Sequence, residues 1–415
     1  MGAVTGTTYR TDLSPRLLAG FRDDDRPLTL AEHERTHGPP PRAGGRDGLV
    51  RLAASVGLRG RGGAAYPLAA KLAAVSRRRG PAVVVVNGAE SEPASYKDAV
   101  LLAGNPHLVL DGAMLAAAAL GAGEVVVWLH DESDPVRRAI EERADPVSTR
   151  IAHAPAGYVT GQSSALTNHL SRGRAVPTPT PPHATERGVA GRPTLVSNAE
   201  TLAHLALLAR RGAAWFRSVG TDDEPGTTLI TVTGAVRRTL VREVAFGTPL
   251  GEVVPAGELV EPPAAVLVGG YAGTWLPWPF ARTVALSARG LRAVSAQLGV
   301  GMVAVLPASR CGLAETAHLA TWLAGETAGQ CGPCVRGLPD IAAAMRALAG
   351  GGDQDVVRRL HRWTGMVAGR GLCHHPDGVS RLVRSALRAF EPEVTRHLAG
   401  ECRAAARGPV FPVPS

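Results

Sequence analysis

Two short valine runs constrain this chain more than any other feature. Ala82-Val-Val-Val-Val86 ends in Asn87-Gly88, and Glu124-Val-Val-Val-Trp128 follows a helix-like stretch from Leu108 to Leu120. Continuous β-branched runs are the mark of strands buried on both faces, the situation in parallel sheets covered by helices. Helical spacing from Leu49, a helix over Leu68 to Ser76, another over Pro135 to Ala144 and a strand over Arg150 to His153 extend the alternation. The expected fold is therefore α/β, with a doubly wound sheet in the first half.

The rest of the chain changes period twice. Residues 1–46 are polar, with Pro39-Pro40-Pro41, and read as an extended arm with one short helix at Ser14 to Phe21. Pro177 to Pro182 must be extended, and Thr194 to Arg211 reads as a turn followed by a helix. From Thr227 the period becomes that of strands: Thr228 to Thr233, Leu240 to Val244 and Ala265 to Gly270. After Met302 to Leu306 the pattern is helical over about 313–327, 335–349, 353–368 and 377–399. The tail GPVFPVPS reads as loose, and no internal repeat stands out.

Composition narrows the function. The net charge is +9, but the basic residues are dispersed, the longest run is Arg77-Arg78-Arg79, and aromatics are only 4%. That excludes a base-stacking platform for nucleic acid. No apolar run is long and uncharged enough to span a bilayer, and the start lacks a secretory pattern. A cytoplasmic protein is expected, peripheral to the inner face of a membrane only through other subunits. Five cysteines are too few for a disulfide framework and suit one metal or redox site. Lysine occurs twice, Lys71 and Lys97, against 43 arginines. Those two positions point to places where a compact ammonium is needed and a flat guanidinium does not fit.

Four segments carry chemistry. Gly57-Leu-Arg-Gly60-Arg61-Gly62-Gly63-Ala-Ala-Tyr66, followed by Lys71, opens a helix. Amides brought close by glycines at a helix start favour a phosphate. Asn87 to Asp98 follows the first valine strand, where ligands of open α/β sheets bind. Asn87 can hydrogen-bond a flat heterocycle, and Glu90 and Glu92 can accept from ring N–H groups or ribose hydroxyls; a solvated acidic loop is the competing reading. Tyr158 and Gly161 lie in a third segment, joined by Ser197, Asn198 and Thr201 at a helix start, where capping competes with ligand binding. The fourth is Cys331-Gly-Pro-Cys334, with Cys373-His374-His375 later. On spacing alone, zinc held by Cys331, Cys334, Cys373 and His374 or His375 competes with iron–sulfur. Cys311 and Cys402 have no metal spacing and read as small buried side chains.

Together and in this order, the four segments resemble the flavin-binding 51-kDa subunit of bacterial NADH–quinone oxidoreductase, respiratory complex I, from about Leu49 to Leu398. The resemblance implies an N-terminal arm (1–46), a Rossmann-like FMN/NADH-binding domain (47–222), a β-grasp domain of the soluble-ligand-binding type (223–295), a C-terminal helical bundle holding a 4Fe–4S cluster (296–404) and a tail (405–415). It implies FMN and an iron–sulfur cluster as cofactors, NADH as substrate, and electron-transfer subunits or a ferredoxin-like protein as partners. Gly60, Arg61, Gly62, Gly63 and Tyr66 match the family's NADH- and flavin-binding loop. Lys71 matches a lysine near the flavin phosphate, and Asn87 and Glu92 match residues around the flavin ring. Tyr158 and Gly161 match a flavin-contacting segment; Ser197, Asn198 and Thr201 match the loop holding the ribityl phosphate. Cys331, Cys334 and Cys373 match three cluster ligands, with His374 as candidate fourth. No side chain is implied to act as acid or base.

Three departures from the family pattern stand out. Its first cluster cysteine is here Ala328, and Cys311 lies a whole helix away. An adjacent Glu-Glu pair, one member of which helps bind the nicotinamide side, is here Gln162 and Ser163. A family glycine and phenylalanine are Ala65 and Tyr66. Three readings follow: an NADH-linked flavo-iron–sulfur electron-transfer protein, a ferredoxin-linked relay without NADH, and a non-catalytic zinc-binding or cofactor-free assembly protein.

Overall fold

A computed structural model describes residues 8–11, 14–22, 26–42, 44–405 and 408–414. Among the described residues, ten strands form two sheets: β1 (Thr8–Thr11), β2 (Ala82–Asn87), β3 (Ala122–Leu129), β4 (Ser148–His153), β5 (Thr194–Asn198), β6 (Thr227–Gly234), β7 (Leu240–Ala245), β8 (Pro263–Val268), β9 (Thr274–Pro277) and β10 (Met302–Pro307).

The first sheet runs β4-β3-β2-β5 and is parallel throughout. Val83 to Val86 and Val125 to Val127 are all buried, as two-face coverage requires. The helices Pro106–Leu120 and Ala199–Arg217 pack together on one side of it. Gly112 permits their contact: a Cβ there would lie 1.9 Å from the Leu202 carbonyl oxygen. The second sheet runs β1-β7-β6-β10-β8-β9 and is mixed; β10 is parallel to β6 and β1 to β7, while the other pairs are antiparallel. Its one face covers a core of its own, and the other packs on the C-terminal helices. Those helices are Gly312–Gly325, Leu338–Ala349, Gln354–Val367, His375–Ala389 and Glu391–Leu398.

Several expectations need correction. Ser14 to Phe21 is a turn, and the arm's helix is Leu30–His37 instead. Thr29 caps it with Glu32 at the third position, a capping box that overrides the polar composition around it. Thr194 to Asn198 is a strand rather than a turn, because it completes the parallel sheet beside β2. The acidic loop read over Asn87 to Asp98 ends at Tyr96, because Lys97 and Asp98 open a helix, Lys97–Gly104. β10 lies between β6 and β8, so a boundary at residue 295 cuts the mixed sheet; we place the start of the helical unit after Pro307. The tail is docked. Phe411 is 1% exposed and stacks on Tyr271 and Trp275, while Glu315 accepts the amides of Val410 and Phe411.

Candidate flavin and iron–sulfur sites

Asn87 and Asn198 end the neighbouring strands β2 and β5 and face each other in register. They therefore mark the carboxyl edge of the parallel sheet, where such folds bind ligands. Asn198 caps the helix Ala199–Arg217, accepting the Glu200 amide at 3.1 Å, and its own amide donates to Asp98 at 2.5 Å. Asn87 donates to the Gly161 carbonyl at 2.8 Å, while its Oδ1 is buried with no partner among the described residues. Gly161 sits so close to Ser91 that a Cβ would lie 2.8 Å from its hydroxyl.

The glycine loop lies over this edge. Gly60 donates to the Tyr66 carbonyl and the Arg61 amide to the Thr201 hydroxyl, at 3.0 and 2.9 Å. The described residues supply no acceptor for the amides of Gly62 and Gly63. A Cβ on Gly62 would meet Asn198 Cβ at 3.3 Å, and Gly63 has a φ of +92°. Ala65 also adopts a positive φ, 47°, at the position where the family carries glycine. Tyr66 is 53% exposed, its ring free at the mouth of the loop. Lys71, on the helix Leu68–Ser76, reaches back to the Val196 carbonyl at 3.1 Å, and burial lowers its pKa. Ser197 is buried in β5.

Two ionic side chains of these segments, Arg61 and Glu90, are committed to internal contacts rather than turned to a ligand. Arg61 is buried, with its guanidinium 4.5 Å from the Phe246 ring, 3.3 Å from the Thr227 carbonyl and 3.7 Å from Glu200. It therefore anchors the loop to the second sheet. Glu90 spends both oxygens internally, on the Ser95 hydroxyl and the Ala99 amide. Burial, with Asp98 nearby, pushes its pKa up to about 7.

Glu92 faces the helical unit. Its Oε2 accepts the Tyr158 hydroxyl at 3.2 Å and the Tyr271 amide at 3.0 Å; its Oε1 is buried and unpartnered among the described residues. Burial raises its pKa to about 8, against those two hydrogen bonds. The Tyr158 amide donates to Glu326, and the Tyr158 ring lies against Trp322 and His375. Tyr158 thus bridges the edge of the first sheet and the helix that carries His375.

Cys334 lies within a π-turn, Pro333–Gly337, a local widening of the helix that is frequent at functional sites. It is buried against Cys331, and burial together with Cys331 and Cys373 raises its thiol pKa to about 12. Burial works against the Cys331 thiolate too, but the amides of Leu372 and Cys334 outweigh it and lower its pKa. His374 is turned outward: its side chain is 98% exposed and its Nδ1 lies 3.1 Å from Asp377. It is therefore not brought to the cysteines. Its neighbour His375 is buried, with Nε2 2.8 Å from the Leu323 carbonyl oxygen.

Sequence reasoning singled out Lys97 as a place for a compact ammonium without giving it partners. Lys97 is 2% exposed, with Nζ 2.9 Å from Asp98 and 3.0 Å from Glu200. Burial lowers its pKa, but Asp98, Glu200 and Glu90 outweigh this and hold the ammonium charged. The rarity of lysine was the signal that could find it. Cys402 is exposed, contrary to its reading as a buried side chain, and Cys311 is half-buried beside His397.

The residues fit the expected cofactors. Unsatisfied Asn87 Oδ1 and Glu92 Oε1, two free glycine amides and Lys71 suit a flavin with a phosphate. Three thiols of soft donor character suit an iron–sulfur centre.

Comparison with known proteins agrees. Residues 53–207 match the Nuo51 FMN-binding domain, and residues 308–397 match the NADH-ubiquinone oxidoreductase-F iron-sulfur binding region. The chain is 28% identical over 422 residues to the NADH-quinone oxidoreductase F subunit of Streptomyces coelicolor, covering 96% of this chain and 94% of that protein. It is 28% identical over 378 residues to the F 2 subunit of the same enzyme in Rhizobium meliloti, covering 85% and 89%. A chain of a solved NAD+-reducing [NiFe]-hydrogenase in the H2-reduced state superposes with a TM-score of 0.79 at 31% identity. The match covers 85% of this chain and 63% of the hydrogenase chain. With both signature regions present, in order, on the expected fold, the chain belongs to the family of 51-kDa flavin subunits of NADH–quinone oxidoreductases as a divergent member.

Proposed function

We propose that this protein takes electrons from NADH at a flavin held on the carboxyl edge of the parallel sheet. It delivers them to an iron–sulfur centre on the C-terminal helices and on to partner electron-transfer subunits. When bound, FMN supplies the chemistry of accepting a hydride and releasing electrons singly. The chain's part is to hold and orient. Asn87 and the amides of Gly62 and Gly63 offer fixed polar groups to the flavin, Lys71 offers charge to its phosphate, and Tyr66 offers a ring for stacking at the mouth. Cys331, Cys334 and Cys373 would hold the iron–sulfur centre. No membrane-crossing segment is needed, since no single helix among the described residues is long and apolar enough to be one. A cytoplasmic place, at a membrane only through partners, suits this reading.

The observation that carries the proposal is the position of Tyr158. One side chain touches Glu92 of the flavin edge, and its ring lies against His375, two residues from Cys373. This contact supports the reading, because Tyr158 links the loop proposed for the flavin to the segment that carries Cys373.

A second reading rests on Gln162 and Ser163. They start the helix Ser163–Arg172 without the negative charge that the family places there. A ferredoxin-like protein is then the donor, drawn by the net positive charge. Anaerobic purification with an absorbance spectrum, an iron count and an NADH titration tests both. Flavin bleaching by NADH supports the first reading. Bleaching only by a reduced ferredoxin supports the second. Protein transparent to visible light refutes both.

A further inference from the structure

The cysteines that lack metal spacing in the sequence meet in the fold. The ligand atoms of Cys311, His397 and Cys402 all lie within 4.8 Å of one another, and Cys311 Sγ is 3.4 Å from His397 Nε2. Three elements bring them there. Cys311 caps the helix Gly312–Gly325, with its Sγ 3.4 Å from the Ala314 amide. His397 stands near the end of the helix Glu391–Leu398, and Cys402 follows in the extended chain beyond it.

We propose that Cys311, His397 and Cys402 form a zinc site. Tetrahedral zinc with Zn–S near 2.3 Å and Zn–N near 2.0 Å puts sulfur and nitrogen ligands about 3.6 Å apart and two sulfurs about 3.8 Å apart. The observed sulfur–nitrogen separation is already close to that edge. The histidine is also oriented as a ligand. Its Nδ1 lies 3.2 Å from the Leu348 carbonyl oxygen, an acceptor only, so Nδ1 carries the proton and Nε2 presents its lone pair to the sulfurs. His397 is 3% exposed, so packing fixes its ring. Two thiolates and an imidazole select zinc over the hard divalent cations. Binding releases one proton from each thiol to solvent, and water completes the coordination.

The site is separate from the Cys331–Cys334–Cys373 group. The 14-residue helix Gly312–Gly325 stands between Cys311 and Cys331, about 21 Å of helix. Cys311 is therefore no stand-in for the thiol missing at Ala328. Its place suggests a clasp. It ties the chain leaving the last helix to the start of the helix whose Glu315 receives the docked tail at Val410 and Phe411.

The test counts zinc and iron together in anaerobically purified full-length protein after passage over a desalting column. The expected result is about one zinc per chain in the parent. Cys402→Ser should lose nearly all of it with iron unchanged, and Cys402→His should keep it. Cys402 is exposed, so neither change threatens the fold. Cobalt titration of the zinc-stripped protein gives a second readout: a thiolate-to-cobalt charge-transfer band in the parent that Cys402→Ser weakens. Zinc absent from the parent, zinc unchanged in Cys402→Ser, or a loss of iron in its place overturns the proposal. So does a Cys311–Cys402 disulfide in peptide maps of unreduced protein.

Discussion

Lys97 Nζ stands 3.0 Å from Glu200 Oε2, and this pair fastens one sheet to the other. Lys97 belongs to the helix after the flavin loop, and Glu200 to the first turn of the helix after β5. The other Glu200 oxygen accepts the Thr228 hydroxyl and the Leu229 amide of β6. Replacing Lys97 with Met should leave two buried carboxylates, Asp98 and Glu200, with Arg61 at 3.7 Å from Glu200 as the remaining cation, costing about 3–5 kcal/mol. Lys97→Arg should also destabilise, by about 1–3 kcal/mol. Little room is left for a guanidinium, since Lys97 is 2% exposed and its Nζ already sits 2.9 Å from Asp98 and 3.0 Å from Glu200. Urea titration of the full chain reads both; an Arg variant as stable as the parent would show that the compact ammonium is not required.

Glu92 predicts a pH dependence. Its folded pKa of about 8 lies above the ordinary glutamate value, so the folded state holds a proton that the unfolded state gives up. That contribution is complete below about pH 4.5 and is lost as pH rises through about 8. The cofactor-free protein should therefore lose thermal stability between pH 5 and pH 8. Glu92→Gln, which cannot ionise, should flatten that slope. Parallel slopes in the two proteins would mean that Glu92 is ionised when folded.

Gly62 is closely approached, and a Cβ there would meet Asn198 Cβ at 3.3 Å, a contact that Asn198 must yield to by a few tenths of an ångström. Gly62→Ala should displace the glycine loop and weaken flavin binding about tenfold, or about 1.4 kcal/mol. Fluorescence titration of the cofactor-free protein with FMN measures this. Unchanged affinity would remove the loop from the flavin site.

Gln162 and Ser163 are the positions to restore. If NADH is the donor, Gln162→Glu with Ser163→Glu should lower its KM about tenfold, with little change in kcat. Should neither parent nor variant oxidise NADH, while both accept electrons from reduced ferredoxin, the donor is the latter.

Phe411 packs between Tyr271 and Trp275 at 1% exposure. Phe411→Ala should cost about 3–5 kcal/mol through the cavity it leaves. Differential scanning calorimetry should show a lower midpoint for that variant; an unchanged midpoint would mean that the tail is not docked in solution.

The valine runs and the change from a strand to a helical period were enough to specify three strands of the parallel sheet, three of the mixed sheet and the C-terminal helices, because burial on two faces leaves few other arrangements for such runs; β5, β1 and the place of β10 came only from strand pairing. The glycine loop at a helix start, Asn87 at the end of β2 and the Cys331–Cys334 pair were also legible, since each depends on neighbours in sequence; the place of Asn198 at the end of β5 was not. Contacts between distant segments were not. Arg61 reads as a phosphate ligand until Glu200 and Phe246 are seen beside it, and a loose tail becomes a docked one only when Tyr271 and Trp275 offer it a slot. Cys311, His397 and Cys402 lie 86 and 5 residues apart along the chain. Only the packing of the first helix of the bundle against the last makes them neighbours, and no local pattern encodes that.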